Sequence, residues 1–202
     1  MDIVIATSNQ NKLKEFKALL KGCAVTILSL KDFPRIPPVV EDGNNFYENA
    51  LKKATTVAHH TGKFTIADDS GLEVEYLGGK PGVYSSRFAG EDASDEENNA
   101  RLLKELQDVP FDKRGACFKC VLVMAKPEGE TAFVEGKCKG IIIDELRGHY
   151  GFGYDPLFLV PEYDETFSEI KLEEKNKISH RSRALQKLLK LLPDYLSKDN
   201  EK

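Results

Sequence analysis

The sequence predicts an α/β fold in a single domain that spans residues 1–202. Segments with the apolar spacing of helices alternate with strand-like runs, and such interleaving is typical of a sheet flanked by helices. A strand-like run at residues 2–6 precedes the first helical segment. Two long strand-like stretches, residues 116–125 and 131–139, lie between the third and the last predicted helix. No internal repeat or linker interrupts this pattern.

Four helices are predicted from apolar residues that recur three and four positions apart. The second begins near Asn45, and Glu48 three residues later suits a capping box. The third begins at Ser94, and Glu97 three residues later again suits a capping box. The last helix begins at Ser179. Their predicted buried residues are Leu13, Phe16, Leu19 and Leu20; Phe46, Ala50, Ala54, Val57 and Ala58; Ala100, Leu103 and Leu106; and, before Pro193, Ala184, Leu185, Leu188, Leu189 and Leu192.

Shorter extended segments complete the pattern, and glycine-rich stretches separate several of them. They are a strand at residues 25–28, a brief strand at 65–67 that runs into the polar residues 68–71, an extended stretch at 72–77, and the apolar residues 157–160 after the glycines of 148–153. Residues 197–202 are predicted to form a polar tail.

The composition excludes several classes of protein. With 41% hydrophobic and 31% charged residues, the chain is not intrinsically disordered. No apolar run approaches the roughly 20 residues that cross a bilayer, and residues 1–6 lack the basic and long apolar regions of a signal peptide. The net charge of −4 argues against a broad nucleic-acid-binding surface.

The four cysteines predict reduced thiols and a cytoplasmic protein, since no secretory signal accompanies them. Cys117 and Cys120 form a C-x-x-C motif, but they lie in a predicted strand. Residues three apart in a strand point to opposite faces, so we expect core thiols here and neither a zinc site nor a redox pair.

The first candidate site follows the first strand. The start of a helix offers unpaired N–H groups and partial positive charge, which bind anions, and Lys12 lies in the first turn. The alternative is ordinary N-capping by Ser8 or Asn9 with a solvated lysine. The sequence has no Walker A motif.

The second candidate site is acidic. Asp68 and Asp69 follow an apolar run, and two adjacent carboxylates repel one another unless a cation relieves the repulsion. Carboxylates completed by water and phosphate oxygens are typical Mg²⁺ ligands, and Glu41, Asp42 and Glu48 are further candidates. The alternatives are an Asx turn at the end of the strand, and helix capping for Glu48.

Two further segments suit a nucleotide. Residues 151–156 place glycines around Phe152 and Tyr154, which allows close backbone approach and offers an aromatic face for stacking. Residues 175–183 gather basic side chains where the last helix is predicted to start. A surface turn and a solvated basic segment are the alternatives. Together the four segments have the chemistry of a nucleoside-triphosphate site, with attack by water and no covalent intermediate.

In six collinear motifs the chain resembles the inosine triphosphate pyrophosphatase family, which hydrolyses non-standard purine nucleoside triphosphates. The motifs are Ala6–Asn9 with Lys12 and Glu15, Phe46-x-Glu48-Asn49-Ala50 with Lys53-Ala54, Ala67–Leu72, Leu77–Arg87, Gly151–Pro156, and Ser179-His180-Arg181 with Ala184-Leu185.

The resemblance implies an elongated mixed-sheet fold with two lobes flanking a central substrate cleft, and a homodimer. It also implies Mg²⁺-dependent hydrolysis of ITP, dITP or XTP to the monophosphate and pyrophosphate. Residue by residue, it assigns the triphosphate to Thr7, Ser8, Asn9, Gln10, Asn11 and Lys12, the metal to Glu41 and Asp69, proton acceptance from water to Asp69, and further substrate contacts to Ser70, Phe152, Gly153, Tyr154, Asp155, Lys175, His180 and Arg181. Asp42, directly after Glu41, can substitute for it as the metal ligand.

Two other functions remain open from the sequence. A Maf-like pyrophosphatase would act on pyrimidine or modified nucleotides. A non-catalytic nucleotide-binding module would bind the substrate without hydrolysis, although the intact residues 68–71 argue against it.

Overall fold

The computed structural model describes residues 1–197 and is a mixed α/β fold, as the sequence predicts. Over these residues five helices accompany seven strands. The helices are α1 (Gln10–Leu19), α2 (Phe46–Thr61), α3 (Asp95–Glu105), α4 (Leu172–Ile178) and α5 (His180–Ser197). The strands are β1 (Asp2–Ile5), β2 (Thr26–Ser29), β3 (Thr65–Val74), β4 (Gly115–Ala125), β5 (Thr131–Ile142), β6 (Phe158–Val160) and β7 (Glu165–Thr166). Most of the predicted polar tail, residues 198–202, lies outside the described residues.

The strands form one sheet in the order β2-β1-β3-β4-β5-β6-β7. β1 runs parallel to both β2 and β3, whereas β5–β6 and β6–β7 are antiparallel. In the β1–β3 pair, Val4 is opposite Thr65 and Ile5 is opposite Ile66. Because the two strands are parallel, the residues that follow Ile5 and Ile66 leave the paired segment at the same edge. This register decides which polar residues meet in the candidate site.

The chain divides into two compact units, and β3, β4 and β5 contribute residues to both. The first unit contains residues 1–69, 120–136 and the described residues from 181 onward. Its core packs residues of β1, α1, β3, β4 and α5: Ile3, Ile5, Leu13, Phe16, Leu20, Phe64, Ile66, Cys120, Leu122, Met124, Ala184, Leu185, Leu188 and Tyr195.

The second unit contains residues 70–119 and 137–180. Its core joins the second half of β3 to α3 and to β4–β6: Leu72, Val74, Leu102, Leu106, Val109, Ala116, Phe118, Cys138, Ile142, Tyr154, Leu157, Phe158, Val160, Phe167 and Ile170.

Helix starts follow the predicted capping residues. The Asn45 side chain accepts a hydrogen bond from the Glu48 N–H at the start of α2, and Ser94 with Glu97 forms a capping box on α3. Asn9 caps α1 by accepting from the N–H groups of residues 11 and 12. These side chains satisfy N–H groups that the first helical turn leaves without a backbone partner.

Several local predictions are wrong. Residues 75–77, which were expected to be extended, form a short 3-10 helix. β3 continues through residues 68–71, so the two aspartates lie within a strand and do not form an Asx turn. Residues 172–178 form a separate helix, and α5 runs on through Pro193 to Ser197. Ala100 is exposed, because the buried face of α3 is built by Asn98, Asn99 and Leu102.

All four cysteines are free thiols, and the prediction of a core thiol is confirmed for Cys120. Cys117 and Cys120 both lie in β4, where Cys120 is fully buried and Cys117 is half-buried. Burial raises the pKa of both thiols, which keeps them protonated and unreactive.

None of the helices described over residues 1–197 combines the length and the apolar character that a membrane span requires.

Candidate active site

The carboxyl ends of β1 and β3 bring a lysine and an aspartate together. β1 leads through residues 6–9 into α1, and Lys12 lies in the first turn of that helix. Its Nζ is 2.9 Å from Oδ2 of Asp68, which lies two residues beyond the last β1–β3 register pair. The parallel register is therefore the physical reason that these two residues meet.

Arg181 and Glu15 complete a buried network around Asp68. The Arg181 guanidinium is 1% exposed and forms ion pairs with Glu15 and, at 3.5 Å, with Asp68. Burial by itself raises the pKa of a carboxyl group, but Lys12, Arg181 and Lys53 outweigh it and hold the pKa of Asp68 well below its usual range. Asp68 is thus an ionised carboxylate enclosed by cations.

Asp69 meets a different set of partners, on α2. The Asn49 side chain donates from Nδ2 to Asp69 Oδ2 at 3.0 Å, and its Oδ1 accepts from the Gly43 N–H at 2.8 Å. Asn49 therefore ties Asp69 to the segment before α2. Burial raises the pKa of Asp69 although Lys53 and Lys12 act in the opposite direction.

Lys53 joins the two residues that were predicted to hold a metal. Its Nζ lies 2.7 Å from Glu41 Oε2 and 3.8 Å from Asp69 Oδ1. Burial disfavours the charged amine, but Asp69, Asp68 and Glu41 raise its pKa above the ordinary value. Lys53 is therefore a cation that pairs with two carboxylates and lies in the field of a third, and the side chains of Lys53 and Asp69 are only 12% and 10% exposed.

The donor chemistry at Glu41 and Asp69 fits Mg²⁺. Both are hard carboxylate oxygens, and both already face a cationic group, so this location accommodates positive charge. Asp42 pairs with Lys52 on the exposed side of α2, which makes it the weaker choice for the second ligand. Glu48 is occupied in capping α2 and accepts from the Asn44 N–H and the Asn45 amide. Among residues 1–197 no group of three His, Cys, Asp or Glu side chains could hold a metal by protein ligands alone.

The start of α1 is capped from within the chain. Asn9 Oδ1 accepts from the N–H groups of Asn11 and Lys12, at 2.9 and 3.2 Å, and the Asn9 N–H donates to Thr7 Oγ1. Gln10 donates from its side chain to the Ser8 carbonyl at 3.3 Å. The N–H groups of Asn11 and Lys12 are therefore already paired, and the exposed side chains at this helix start are those of residues 8–11.

The predicted aromatic loop and Lys175 form a second cluster, in the second unit. Lys175 and Asp155 are both buried and pair at 2.6 Å, and Asp155 Oδ2 also accepts from the Phe152 N–H at 3.0 Å. The Lys175 ammonium lies 5.3 Å from the centre of the Phe152 ring and 5.2 Å from that of Phe167. Lys175 therefore belongs to the loop cluster and is not part of a solvated basic turn.

Other predicted residues of the second unit differ in exposure. The Tyr154 ring is 4% exposed and its hydroxyl donates to the Ser85 carbonyl, whereas Phe152 is half-buried. His180 is buried and stacks on Phe118 at 4.8 Å. Ser70 is half-buried in β3, directly after Asp69.

Lys53, Asn49 and Glu15 contact predicted site residues but were not assigned to the site from sequence. All three occur in the motifs that carried the family resemblance. Asn49 and Lys53 are four residues apart, so they lie on one face of α2 beside the buried stripe. That spacing is the signal that could have identified them.

Cations and carboxylates lie together where the parallel strands β1 and β3 end their pairing. Such strand ends are the usual ligand sites of parallel sheets, so this is an α/β protein of the class that binds small polyanionic ligands. The chain belongs to the Ham1 family, whose sequence model matches residues 3–191. The family resemblance inferred from the six motifs is confirmed.

Curated relatives and solved structures agree with this assignment. A dITP/XTP pyrophosphatase of Desulforamulus reducens is 53% identical over 192 residues, which cover 95% of this chain and 96% of that protein. A dITP/XTP pyrophosphatase of Geobacter sulfurreducens is 53% identical over 194 residues, covering 96% of each. The structure of the Staphylococcus aureus Ham1 protein is 40% identical with a TM-score of 0.85, and covers 96% of this chain and 100% of its own. A HAM1 protein from Coxiella burnetii gives 38% identity and a TM-score of 0.87, with 96% and 99% covered.

Proposed function

We propose that this protein hydrolyses non-standard purine nucleoside triphosphates, such as dITP, XTP and ITP, to the nucleoside monophosphate and pyrophosphate. The observation that carries the proposal is the cluster in which Lys12, Lys53 and Arg181 surround Asp68 and Asp69. It combines cations for a triphosphate with a carboxylate that can accept a proton. The names of relatives that share about half of their residues with this chain support the same activity.

The triphosphate is assigned to the start of α1 and to Lys12. The half-buried Thr7 and the exposed side chains of residues 8–11 offer hydroxyl and amide donors, and Lys12 with Lys53 supplies positive charge to the phosphate oxygens. In the structure both lysines are paired with carboxylates. A bound triphosphate would share these cations with Asp68 and Glu41, which keep the lysines in place before the substrate arrives.

Asp69 is assigned as the acceptor of the proton from the attacking water. Asn49 fixes one carboxylate oxygen of Asp69, which leaves the other oriented toward Lys53. The water oxygen forms a bond to phosphorus, its proton moves to Asp69, and the bond to the pyrophosphate leaving group breaks. Glu41 and Asp69 would hold Mg²⁺, which supplies charge neutralisation on the phosphates and a water of lowered pKa.

Base recognition is assigned to the loop at residues 151–155. Phe152 offers its ring for stacking, and Asp155 with Lys175 holds the loop beneath it. Tyr154 contributes through its anchor to Ser85. The donors to the base are assigned to His180, Arg181 or the nearby backbone, and a base contact by Arg181 would have to be shared with its buried pairing to Glu15 and Asp68. Donors suit the keto oxygen of hypoxanthine or xanthine, whereas adenine presents an amino group there. We therefore expect a preference of about 100-fold or more for ITP or XTP over ATP.

We further propose a magnesium-dependent homodimer that acts in the cytoplasm. Hard carboxylate donors at Glu41 and Asp69 support the choice of metal. Four free thiols support a reducing compartment. The homodimer rests on the family resemblance, and light scattering of the purified protein tests it directly.

The test is a panel of nucleoside triphosphates with Mg²⁺, assayed separately for pyrophosphate and orthophosphate. The proposal predicts pyrophosphate with the monophosphate from ITP, dITP and XTP, little turnover of ATP, and loss of activity when EDTA removes the metal. Orthophosphate with a diphosphate, or equal turnover of ATP and ITP, would contradict it. Preferential hydrolysis of dTTP or UTP would favour the Maf-like pyrophosphatase. Binding of ITP without turnover would favour the non-catalytic nucleotide-binding module.

A further inference from the structure

Two side chains of α3 hold the backbone of Gly153, in the centre of the aromatic loop. Asp95 Oδ2 accepts a hydrogen bond from the Gly153 N–H at 2.7 Å. Asn99 Nδ2 donates to the Gly153 carbonyl at 2.9 Å. Residues four apart lie on the same face of a helix, so one face of α3 binds both polar groups of a single peptide residue. Neither side chain was identified from the sequence.

The helix that carries these side chains is itself firmly anchored. Asn98, which precedes Asn99 in this helix, is buried. Its side chain accepts a hydrogen bond from the Ala89 N–H at 2.8 Å and donates one to the Ser86 carbonyl at 3.2 Å. Leu102, one turn further along, is fully buried in the core of the second unit. Because α3 is fixed at its buried face, the hydrogen bonds of Asp95 and Asn99 hold Gly153 in a defined position.

Each residue from Phe152 to Tyr154 has its own polar anchor. The Phe152 N–H donates to Asp155, the Gly153 N–H donates to Asp95, and the Tyr154 hydroxyl donates to the Ser85 carbonyl at 2.9 Å. Gly153 has a positive φ of 62°, a conformation that glycine tolerates but that needs external contacts to stay fixed. The direction of the Phe152 ring depends on the peptide unit that follows it.

We propose that Asp95 is a positioning residue for base recognition, which acts by fixing the Gly153 N–H and thereby the Phe152 ring. This inference rests on the proposed function of the loop. An acidic residue in the first turn of a helix also has an ordinary role, because it interacts favourably with the helix dipole. That role does not require a hydrogen bond to a residue 58 positions away in the chain. Glu96 and Glu97 occupy the same turn and provide the same charge.

The test compares Asp95→Ala with Asp95→Asn and with the control Glu96→Ala. Glu96 is exposed in the same helical turn, so its removal costs the same helix-dipole interaction and leaves the loop contact intact. Steady-state kinetics with ITP are measured beside inhibition by inorganic tripolyphosphate, which has no base. Hydrogen exchange of the Gly153 amide gives a readout that needs no substrate.

We expect Asp95→Ala to raise the KM for ITP about tenfold, the size of one charge-assisted hydrogen bond, with kcat changed much less. The inhibition constant of tripolyphosphate stays at the wild-type value, and exchange at Gly153 becomes faster. Asp95→Asn, which keeps an oxygen acceptor, recovers most of the KM, and Glu96→Ala behaves as wild type.

Two results would overturn the assignment of Asp95. One is an unchanged KM for ITP in Asp95→Ala. The other is an inhibition constant of tripolyphosphate that rises in parallel with the KM, which would indicate a general disruption of the site. Wild-type protein is assayed first. If it does not turn over ITP, the proposed function itself has failed, and that failure is visible before any variant is compared.

Discussion

Asp68 and Asp69 are consecutive residues of β3, and their carboxylates meet different partners on opposite sides of the strand. Asp68 faces Lys12 of α1 and Arg181 of α5, whereas Asp69 faces Asn49 and Lys53 of α2. Alternation of side chains along a strand is the physical reason. Cations on both sides of the strand relieve the repulsion that the sequence suggests, with Lys12 and Lys53 acting on both carboxylates, and the different direct partners allow the two carboxylates separate roles.

We expect Asp68→Asn to lower the free energy of unfolding by about 3–5 kcal/mol, because it leaves Lys12 and the buried Arg181 without their shared anion. Urea denaturation monitored by circular dichroism measures the loss. Asp42→Asn is the matched control, since Asp42 pairs with Lys52 on the surface and an exposed ion pair contributes little to stability. Equal stabilities of the two variants would contradict the structural role of Asp68.

The Arg147–Glu169 pair should make stability depend on pH at the acid end. The Thr166 N–H and Arg147 hold the pKa of Glu169 below its ordinary value. A lowered pKa in the folded state stabilises the fold above the unfolded pKa, and this contribution is lost as pH falls through the folded pKa. In Glu169→Gln, unfolding free energies measured between neutral and acid pH should fall less steeply than in wild type. An identical pH dependence would exclude a contribution from this pair.

Lys175 and Asp155 should show strong energetic coupling. Removing the charge of either residue leaves the other charge buried, which destabilises the protein by about 3–5 kcal/mol. The double variant Lys175→Met/Asp155→Asn removes both charges and keeps the acceptor for the Phe152 N–H. Its loss of stability should be smaller than the sum of the single losses by more than about 1 kcal/mol. Additive losses in urea denaturation would mean that the pair does not act as a unit.

Gly151 is required where Asp155 approaches the loop backbone. Its φ is +76°, and a Cβ at this position would overlap Asp155 Oδ2. Gly129 has a φ of +98° and open space around it, so Gly129→Ala is a control for backbone strain alone. We expect Gly151→Ala to lose more stability than Gly129→Ala and to raise the KM for ITP. Equal losses, with an unchanged KM, would count against this role of the loop.

Helix starts were predictable from sequence because capping is a local property. Asn45 and Ser94 identify the starts of α2 and α3 through side chains that bond within three residues. The path of β3 through residues 68–71 was not predictable in this way. Polar residues and a glycine suggest a turn there, but partners distant in sequence, Lys12 and Arg181, stabilise the buried aspartate in the strand.

Site residues were predictable where charged residues occur at unusual places in the sequence. They were less predictable where an ion pair with a distant residue determines the position of the side chain. Lys12 and Asp69 were identified from their places at the ends of elements. Lys53 was missed as a site residue because a lysine on a helix is ordinarily solvated, and only tertiary structure brings Glu41 and Asp69 to it. Lys175 was predicted to contact the substrate, with a solvated basic turn as the alternative, and its buried pairing with Asp155 was not predictable from the sequence.

The most direct test of the central claim is turnover and binding of ITP by Asp69→Asn. The amide keeps the shape of the side chain and a contact with Asn49 but cannot accept the proton from water. We predict an intact fold by circular dichroism, retained ITP binding by calorimetry, and a kcat lowered by about a thousandfold or more. A variant that hydrolyses ITP at the wild-type rate would contradict the assignment of Asp69 and the mechanism built on it.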